Sequence, residues 1–527
     1  MAEKPASADL DALKKIQDEI AKRKTKAKAE KEQFLDDIRE CYSFMMPRRN
    51  LPGTSDMTRP QNATENFTTL GEEVCTDFAS EMADTFIPDH LQWAGVEVGK
   101  IVPDELHEQA AKAAQRDTDI VFGAIEASNF SEAGKQGFKD LSISAFGLAI
   151  TDPGAGEPFH CQPIPIDELL ILRDVRGGIG TRMWVRMLTA EEIQDLLPGV
   201  TLPKKVREAK KTETHEFIQG CYRDHSKKGE QAWINFTTVV GEIVGTPVRK
   251  VGNGCASIQV ARWDPDPKFA WGTGCGMKAQ ADFRQLDETE YLKLKGMARQ
   301  VDPPVRYDDD SVINLNGGLP NGVAIPSLEG SKIDVIESRH TMEPAFYAVR
   351  EVEDRIRRHF YLDEPRQEGK TPPTLGQWAD ESLRKQRRLG TPAAPLWGEF
   401  ISEVYYRFRY LLGENGTLEN SGIKVGDQVF PLRPVNPLKR AAQQEEAIAS
   451  ERVLGTLANT FGPEAIPMII DAGKTAHNLV KLSRAENGIA LRSEQEINAA
   501  FQQQQSAQFA EHAAKAIGSL PTDGAPA

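Results

Sequence analysis

The segment WGTGCGMK, residues 271–278, comes nearest to a recognisable binding motif in this chain. Its glycines, Gly272, Gly274 and Gly276, follow the extended pattern SIQVARW and precede a helical pattern that begins at Met277. Many nucleotide-binding proteins use a strand, a glycine turn and a helix in this order to hold a phosphate group at the helix N-terminus. Two alternatives follow, a nucleotide site and a purely structural corner.

The spacing of these glycines fits neither common phosphate motif. A dinucleotide fingerprint needs GxGxxG directly after a strand, whereas residues 264–270 intervene here and the order is GxGxG followed by Met277. A P-loop ends in GK[ST], but this chain has Lys278 followed by Ala279 and lacks the hydroxyl that binds Mg²⁺. The pattern therefore favours a corner, in which glycines give the backbone access to positive φ.

Other residues with potential chemistry are sparse. Asp308, Asp309 and Asp310 could together hold a divalent ion, although adjacent carboxylates in a loop are usually solvated. No HExxH, HxH or GxSxG pattern occurs, so we predict no metal site, no cofactor and no catalytic centre. Wide spacing without a CxxC pair predicts reduced core cysteines rather than a zinc site. The six cysteines are Cys41, Cys75, Cys161, Cys221, Cys255 and Cys275.

Length and charge restrict the class of protein. The 527 residues exceed what a single core usually holds, so two or more structural units are expected. The net charge of −14 argues against a tight, non-specific nucleic-acid binder, because such affinity comes from basic groups that neutralise phosphates. The apolar runs are too short to span a membrane, and the polar N-terminus predicts no secretory signal.

The first half of the chain reads as helices followed by strands. Apolar spacing predicts one long helix over residues 8–42, a helix that Pro88 ends, and another over 104–127. The lysine-rich run at residues 22–31 either contacts phosphate or forms a solvated helix face. A period of two then replaces the helical period. Strands are expected at 179–187, 214–223, 232–241 and 256–263. A capping box at Thr189 and Glu192 predicts a short helix.

The second half contains a helical pair around a small module. Helices are predicted at 277–300 and 343–361, on either side of a Pro-, Gly- and Asp-rich stretch that suits a small sheet. Their apolar seams are narrow, so a lone projecting pair would be marginal and copies packed side by side would bury the seams. This favours a ring. Further helices are expected at 375–389, at 396–412 and from 438 onward.

Several segments of the chain follow one another in a characteristic order and spacing, which is more specific than any one of them. The segments are ECYSFMMPRRN, FTTLGEEVCTDFASEMADTFIPDHLQWAGVEV, SNFSEAGKQGFKDLSISAFGLAI, FHCQPIPIDELLILRDVRGGIGTRMWVRMLTAEEI, RWDPDPKFAWGTGCGMKAQADFRQL, the helix at 343–361 and NPLKRAAQQEEA. In these segments, over residues 35–460, the chain resembles the portal (head-to-tail connector) proteins of short-tailed bacteriophages, the podovirus type.

The resemblance implies an α+β, mainly helical fold. It consists of a portal-type wing with an inserted stem–clip helical hairpin and a C-terminal helical crown. The glycine corner at Gly272, Gly274 and Gly276 would then join wing to stem. The implied segments are a wing (1–270), a first stem helix (271–300), a clip (301–341), a second stem helix (342–361), a tunnel loop (362–374), a returning wing part (375–435) and a crown with its tail (436–527).

The resemblance also implies a function without catalysis. The protein would form a ring, usually a dodecamer, at one capsid vertex of the virion after assembly in the host cytoplasm. Double-stranded DNA would pass through it, and the terminase motor, tail adaptors, major capsid protein and scaffolding protein would be partners, with no membrane involved. Arg366 and Lys370 would touch DNA from the tunnel loop, and Asp308–Asp310 would dock partners from the clip. A nucleotide-binding enzyme and another virion component remain as alternatives.

Overall fold

The computed structural model of the protein separates into two compact units, Met1–Val435 and Asn436–Ala527. In the second unit it describes a helical stretch at 452–457 and three single helical residues, and the elements named below belong to the first unit. The described residues are 7–50, 66–89, 92–94, 96–97, 104–154, 156–227, 230–303, 305–308, 324–327, 334–335, 343–362, 394–418, 423–425, 428–430, 433–434, 450, 452–457, 475 and 479.

Helices dominate the first part of the chain. The predicted helix over 8–42 is wrong in one respect, because it is two helices separated by a turn. In that turn the N–H groups of Gln33 and Phe34 bond to carbonyls three residues back, at 3.2 and 3.0 Å. The Phe34 ring then packs edge to face on Phe269, 5.4 Å away, which sets the direction of the second helix. The helices are α1 (Ser7–Glu32), α2 (Leu35–Met45), α3 (Leu70–Phe86), α4 (Asp104–Ala127) and α5 (Phe130–Leu141).

Two antiparallel sheets follow, and the predicted strands are confirmed. A three-stranded sheet has the order β10-β2-β3, and a larger one has the order β4-β5-β6-β7-β8 with β9 also paired to β7. The predicted capping box is present at the start of α6. These elements are β1 (Val96–Glu97), β2 (Ala145–Thr151), β3 (His160–Ile164), β4 (Leu169–Arg173), β5 (Ile179–Thr189), α6 (Ala190–Leu196), α7 (Lys204–Arg207), β6 (Thr214–Asp224), β7 (Ala232–Val239), β8 (Glu242–Ile243), β9 (Val248–Val251) and β10 (Ile258–Arg262).

The remaining elements include the predicted helical pair and a small sheet between its members. That sheet has the order β12-β11-β13, with β11 and β12 parallel. The predicted helix at 396–412 begins with a π-helical turn, Trp397–Ile401, and the predicted helix at 375–389 lies outside the described residues. These elements are α8 (Cys275–Val301), β11 (Val305–Asp308), β12 (Ala324–Ser327), β13 (Asp334–Val335), α9 (Glu343–His359), α10 (Ser402–Glu414), β14 (Ile423–Val425), β15 (Gln428–Phe430) and β16 (Arg433–Pro434).

Helix α1 lies across one face of the larger sheet. Its Ile20 and Ala27 are buried against Leu170, Met183 and other apolar side chains of the strands. At the edge of the sheet, the Lys31 ammonium group donates to the Leu169 carbonyl at 3.1 Å, and burial lowers the pKa of Lys31 to about 8. The helix therefore covers the sheet and closes its β4 edge.

The main core lies among α2, α3, α5, the smaller sheet and the π turn with α10. Its aromatic rings meet mostly edge to face, as do Phe78 and Trp263 at 5.3 Å. All six cysteines are buried and unpaired, as the sequence predicts. Burial raises the pKa of the Cys41 and Cys161 thiols to about 12 and that of Cys75 to about 11, so these thiols are inert core groups.

Candidate assembly surface on a helical hairpin

The three glycines of WGTGCGMK form the entrance to α8, with Gly274 as its N-cap. Gly274 has φ −75° and ψ 172°, and none of the three has positive φ, so the expected reason for glycine is wrong. Close approach is the reason instead. A Cβ added at Gly272 would lie 2.0 Å from the Trp263 carbonyl oxygen, and one at Gly274 would lie 2.1 Å from that of Ile143. Only glycine lets these backbones touch.

The N–H groups of two of the three glycines already have partners. The N–H groups of Gly274 and Gly276 each donate to a carbonyl of the 142–143 segment at 2.8 Å. The Lys278 ammonium group, which would reach a phosphate in a nucleotide site, bonds to the Asp264 carboxylate at 2.5 Å. A phosphate cradle needs free N–H groups at a helix N-terminus. The geometry therefore argues against nucleotide binding here.

Helices α8 and α9 form an antiparallel hairpin whose half near the body belongs to the core. Phe283 is fully buried between Phe44, with ring centroids 5.8 Å apart, and Phe360, at 6.1 Å. Leu286 and Ile356 are also fully buried. We call residues 275–286 and 349–360 the near half of the hairpin, and folding of the single chain already covers it.

Ion pairs fasten the near half to the body and join its two helices. The Asp282 carboxylate accepts from Arg355 at 3.1 Å and lies 3.5 Å from His359. The Glu40 carboxylate of α2 accepts from Arg284 and Gln280 on α8. Because these contacts tie three helices together, the direction of the hairpin is fixed at its base.

The far half, residues 291–301 and 346–347, exposes an unusual amount of apolar surface. Leu294, Met297 and Val301 follow helical spacing on one stripe of α8, and Val301 is 86% exposed. Monomeric proteins rarely expose large contiguous apolar patches, and such patches mark interaction sites. The exposed large side chains of the far half are Tyr291, Leu292, Leu294, Met297, Val301, Phe346 and Tyr347.

Two buried arginine–glutamate pairs, which the sequence did not predict, hold the π turn and α10 against the sheets. Arg262 of β10 donates to the Glu399 carboxylate at 2.8 Å, and Arg182 of β5 donates to both oxygens of the Glu403 carboxylate at 2.5 and 3.0 Å. Burial alone would lower the pKa of Arg182, but the Glu403 carboxylate raises it above its usual value. Both arginine residues are 2% exposed, so removing either carboxylate would leave a buried unpaired charge.

Two more arginines on α10 are buried. Arg409 donates to the Asp117 carboxylate at 2.8 Å, and Arg407 donates to the carbonyls of Ile150 and Gly254 at 3.2–3.3 Å. Burial lowers the pKa of Arg407. For the two arginine–glutamate pairs described above, the only local sign in the sequence is that Glu399 and Glu403 are four residues apart on one helix face. Their arginine partners lie far away in the sequence, so the pairs themselves could not be predicted.

The structure describes few of the other residues predicted to be functional. The Asp308 backbone ends strand β11, while Asp309, Asp310, Arg366 and Lys370 lie outside the described residues. Within the described part of the chain, no group of His, Cys, Asp and Glu side chains is arranged to hold a metal ion. The feature that the described residues do show is the exposed apolar far half of the hairpin, and this is the candidate site.

The sequence matches the family described as bacteriophage head to tail connecting protein over residues 17–489. The chain belongs to this family. The connector is thus a phage portal protein, a structural component of the virion that works as an oligomer in contact with capsid and tail. No curated protein sequence matches it. No described helix of this connector combines the length and apolarity needed to cross a bilayer.

Proposed function

We propose that this connector forms a ring of podovirus type, a dodecamer, at one capsid vertex. Double-stranded DNA is packaged and ejected through the ring, and the terminase motor and the tail adaptors dock on it. The exposed apolar far half of the α8–α9 hairpin carries this proposal. An exposed apolar surface of this kind indicates that another molecule covers it in the virion. In an oligomer, the hairpins of neighbouring subunits are available to do so.

The physical argument is the cost of leaving the far half in water. Fully burying a Leu, Met or Phe side chain contributes about 1.5–3 kcal/mol relative to exposing it. The far half carries seven large side chains that a single chain leaves between 37% and 86% exposed. Head-to-tail packing of identical subunits closes into a ring when the rotation between neighbours is right. Neighbouring hairpins would then line a central passage.

The segments acquire roles under this proposal. Residues 1–270 and 375–435 form the wing, α8 and α9 form the stem, and the glycine corner joins them. The 301–341 clip, with Asp308–Asp310, docks the motor and later the adaptors, while scaffolding and capsid proteins surround the wing. Arg366 and Lys370 on the 362–374 tunnel loop touch passing DNA, and 436–527 forms the crown.

The charge of the protein suits a conduit. Each copy carries a net charge of −14, and a ring multiplies this charge by its number of subunits. Like charges on the channel wall and on DNA phosphates prevent tight holding, which would slow passage. Energy for movement would come from the motor and not from this protein.

The proposal is tested by images and masses of the assembled wild type and of Leu294→Ser/Met297→Ser. We expect negative-stain electron microscopy to show wild-type rings with a central hole. Light scattering should show the double variant as a protomer, and its circular dichroism spectrum should match that of the wild type, which shows that it folds. The control is Leu196→Ser, a residue of α6 that is 46% exposed outside the hairpin, and it should assemble normally. A wild type that stays protomeric at high concentration, even with scaffolding protein, would refute the proposed ring.

A further inference from the structure

The lysine-rich run on α1 divides into an inner and an outer set. The inner cations face the sheet, and each has a partner there. Arg23 donates to the β5 hydroxyl of Thr181 at 2.8 Å, Lys24 donates to the Glu216 carboxylate at 2.6 Å, and Lys31 reaches the β4 edge. These three cations therefore serve the fold.

The outer set has no such role. Lys22, Lys26 and Lys28 are exposed, and none forms an ion pair with a residue that the structure describes. Lys22 and Lys26 are four residues apart, so they lie on one face of α1. In a chain of net charge −14, a row of uncompensated cations is a distinct surface.

A groove of about 320 Å³ continues this row beyond α1. Its lining includes Lys26 and Glu30 of α1, Gln33 of the turn that follows α1, Arg173 at the end of β4 and Lys268 on the loop before α8. Leu172 and Phe269 lie at its base. Three cations from three separate elements thus line one open space. A helix whose lysines are merely solvated would not bring cations of other elements to the same place.

Two acidic groups lie close to these cations, Glu30 in the lining itself and Asp266 two residues before Lys268, and each accepts a hydrogen bond from a backbone amide. The Glu30 carboxylate accepts from the Ala270 N–H at 2.5 Å, and the Asp266 carboxylate accepts from the Lys268 N–H at 2.6 Å. The Arg173 Nε donates to a carbonyl of its own turn at 3.3 Å, which orients its guanidinium group. Lys26, Arg173 and Lys268 form no ion pair with a residue that the structure describes, and these three cations outnumber the single lining carboxylate of Glu30, so the groove keeps a net positive charge for an external anion.

We propose that this groove binds the phosphodiester backbone of duplex DNA. Its preference for phosphate rests on its own cations, whereas the choice of DNA as the source rests on the proposed function. The open shape and the continuation along Lys22 suit a linear polyanion better than a single small anion. With about three phosphate contacts, affinity should fall about 40-fold between about 50 and 200 mM salt, so the contact is weak and reversible.

The test uses the full-length chain and a fluorescently labelled duplex of about 30 base pairs, with binding followed by anisotropy at about 50 and 200 mM salt. The groove variant is Lys26→Gln/Arg173→Gln/Lys268→Gln. The matched control, Lys204→Gln/Lys205→Gln/Arg207→Gln, removes the same charge from the exposed face of α7.

We expect the groove variant to bind DNA at least about tenfold more weakly at low salt and to lose most of the salt dependence, because each lost contact lowers the slope by about 0.9. The control should bind within about twofold of wild type. Equal losses in both variants would show that only net charge matters and would overturn the proposal.

Competition distinguishes the sources of negative charge. Inorganic pyrophosphate should displace DNA only at high concentration, since it spans a single contact. If polyglutamate of equal charge displaces DNA from the wild type more effectively than unlabelled duplex does, the groove is a docking site for acidic protein and the proposal fails. Ring images are an independent measurement. If the protein forms rings but the groove does not bind DNA, only this inference is refuted. If the groove binds DNA but the protein remains a protomer, only the proposed ring is refuted.

Discussion

The near and far halves of the α8–α9 hairpin carry the same helical pattern but lie in different surroundings. In the near half, Phe283 and Leu286 are fully buried, and polar groups such as Asp282 find partners within the chain. In the far half, Leu292 is 55% exposed and Val301 is 86% exposed. An apolar stripe that extends beyond the surface of its own body indicates where a second molecule packs. Folding satisfies the near half, and association is needed to satisfy the far half.

The largest expected effect tests this contrast directly. Phe283→Ala should lower the free energy of unfolding by about 3–5 kcal/mol, because it removes a buried ring and leaves a cavity. Leu292→Ala in the far half should change it by less than about 0.5 kcal/mol in dilute protomer. Urea denaturation followed by circular dichroism measures both. Similar losses in the two variants would mean that the halves do not differ.

A smaller effect is expected where the near half begins. Gly274→Ala should lower the free energy of unfolding by about 1–3 kcal/mol, because the new Cβ would overlap the Ile143 carbonyl. The control, Gly123→Ala, lies in α4 with open space around it and should stabilise the helix by about 0.5–1 kcal/mol. Thermal melting of the two variants should therefore shift in opposite directions. A neutral Gly274→Ala would contradict the close approach seen at the corner.

The smallest effect concerns the ion pairs at the base of the hairpin. Asp282→Asn should cost up to about 1 kcal/mol, because Arg355 and His359 lose a partly buried partner. The matched control, Glu157→Gln, changes an exposed carboxylate in the loop between β2 and β3 and should have no measurable effect. Repeating the denaturation at about 1 M salt should narrow the difference between Asp282→Asn and wild type. A salt-independent difference would indicate packing rather than charge.

Local patterns predicted most of the elements. Period-two alternation predicted β5 and its neighbours, and helical spacing predicted α3, α8 and α9. The pair Thr189 and Glu192 predicted the start of α6. The narrow apolar seams of the hairpin also predicted a surface that a single chain leaves exposed. These features depend on residues close together in sequence, which is why a single sequence contains them.

Tertiary contacts explain what the sequence did not predict. The break after α1 depends on Phe34 meeting Phe269, and the glycines of the corner depend on the carbonyls of Trp263 and Ile143. Arg262 and its partner Glu399 are separated by 137 positions. No local pattern contains such pairs, so they require the folded chain.

The burial of all six thiols also has a practical consequence. Since each sulfur lies in the core and burial raises its pKa, the native protein should ignore maleimide dyes. Leu196→Cys, at an exposed position of α6 outside the hairpin, would then provide the sole labelling point. Fluorophores attached there could report by energy transfer how near adjacent subunits stand, without first removing any natural sulfhydryl.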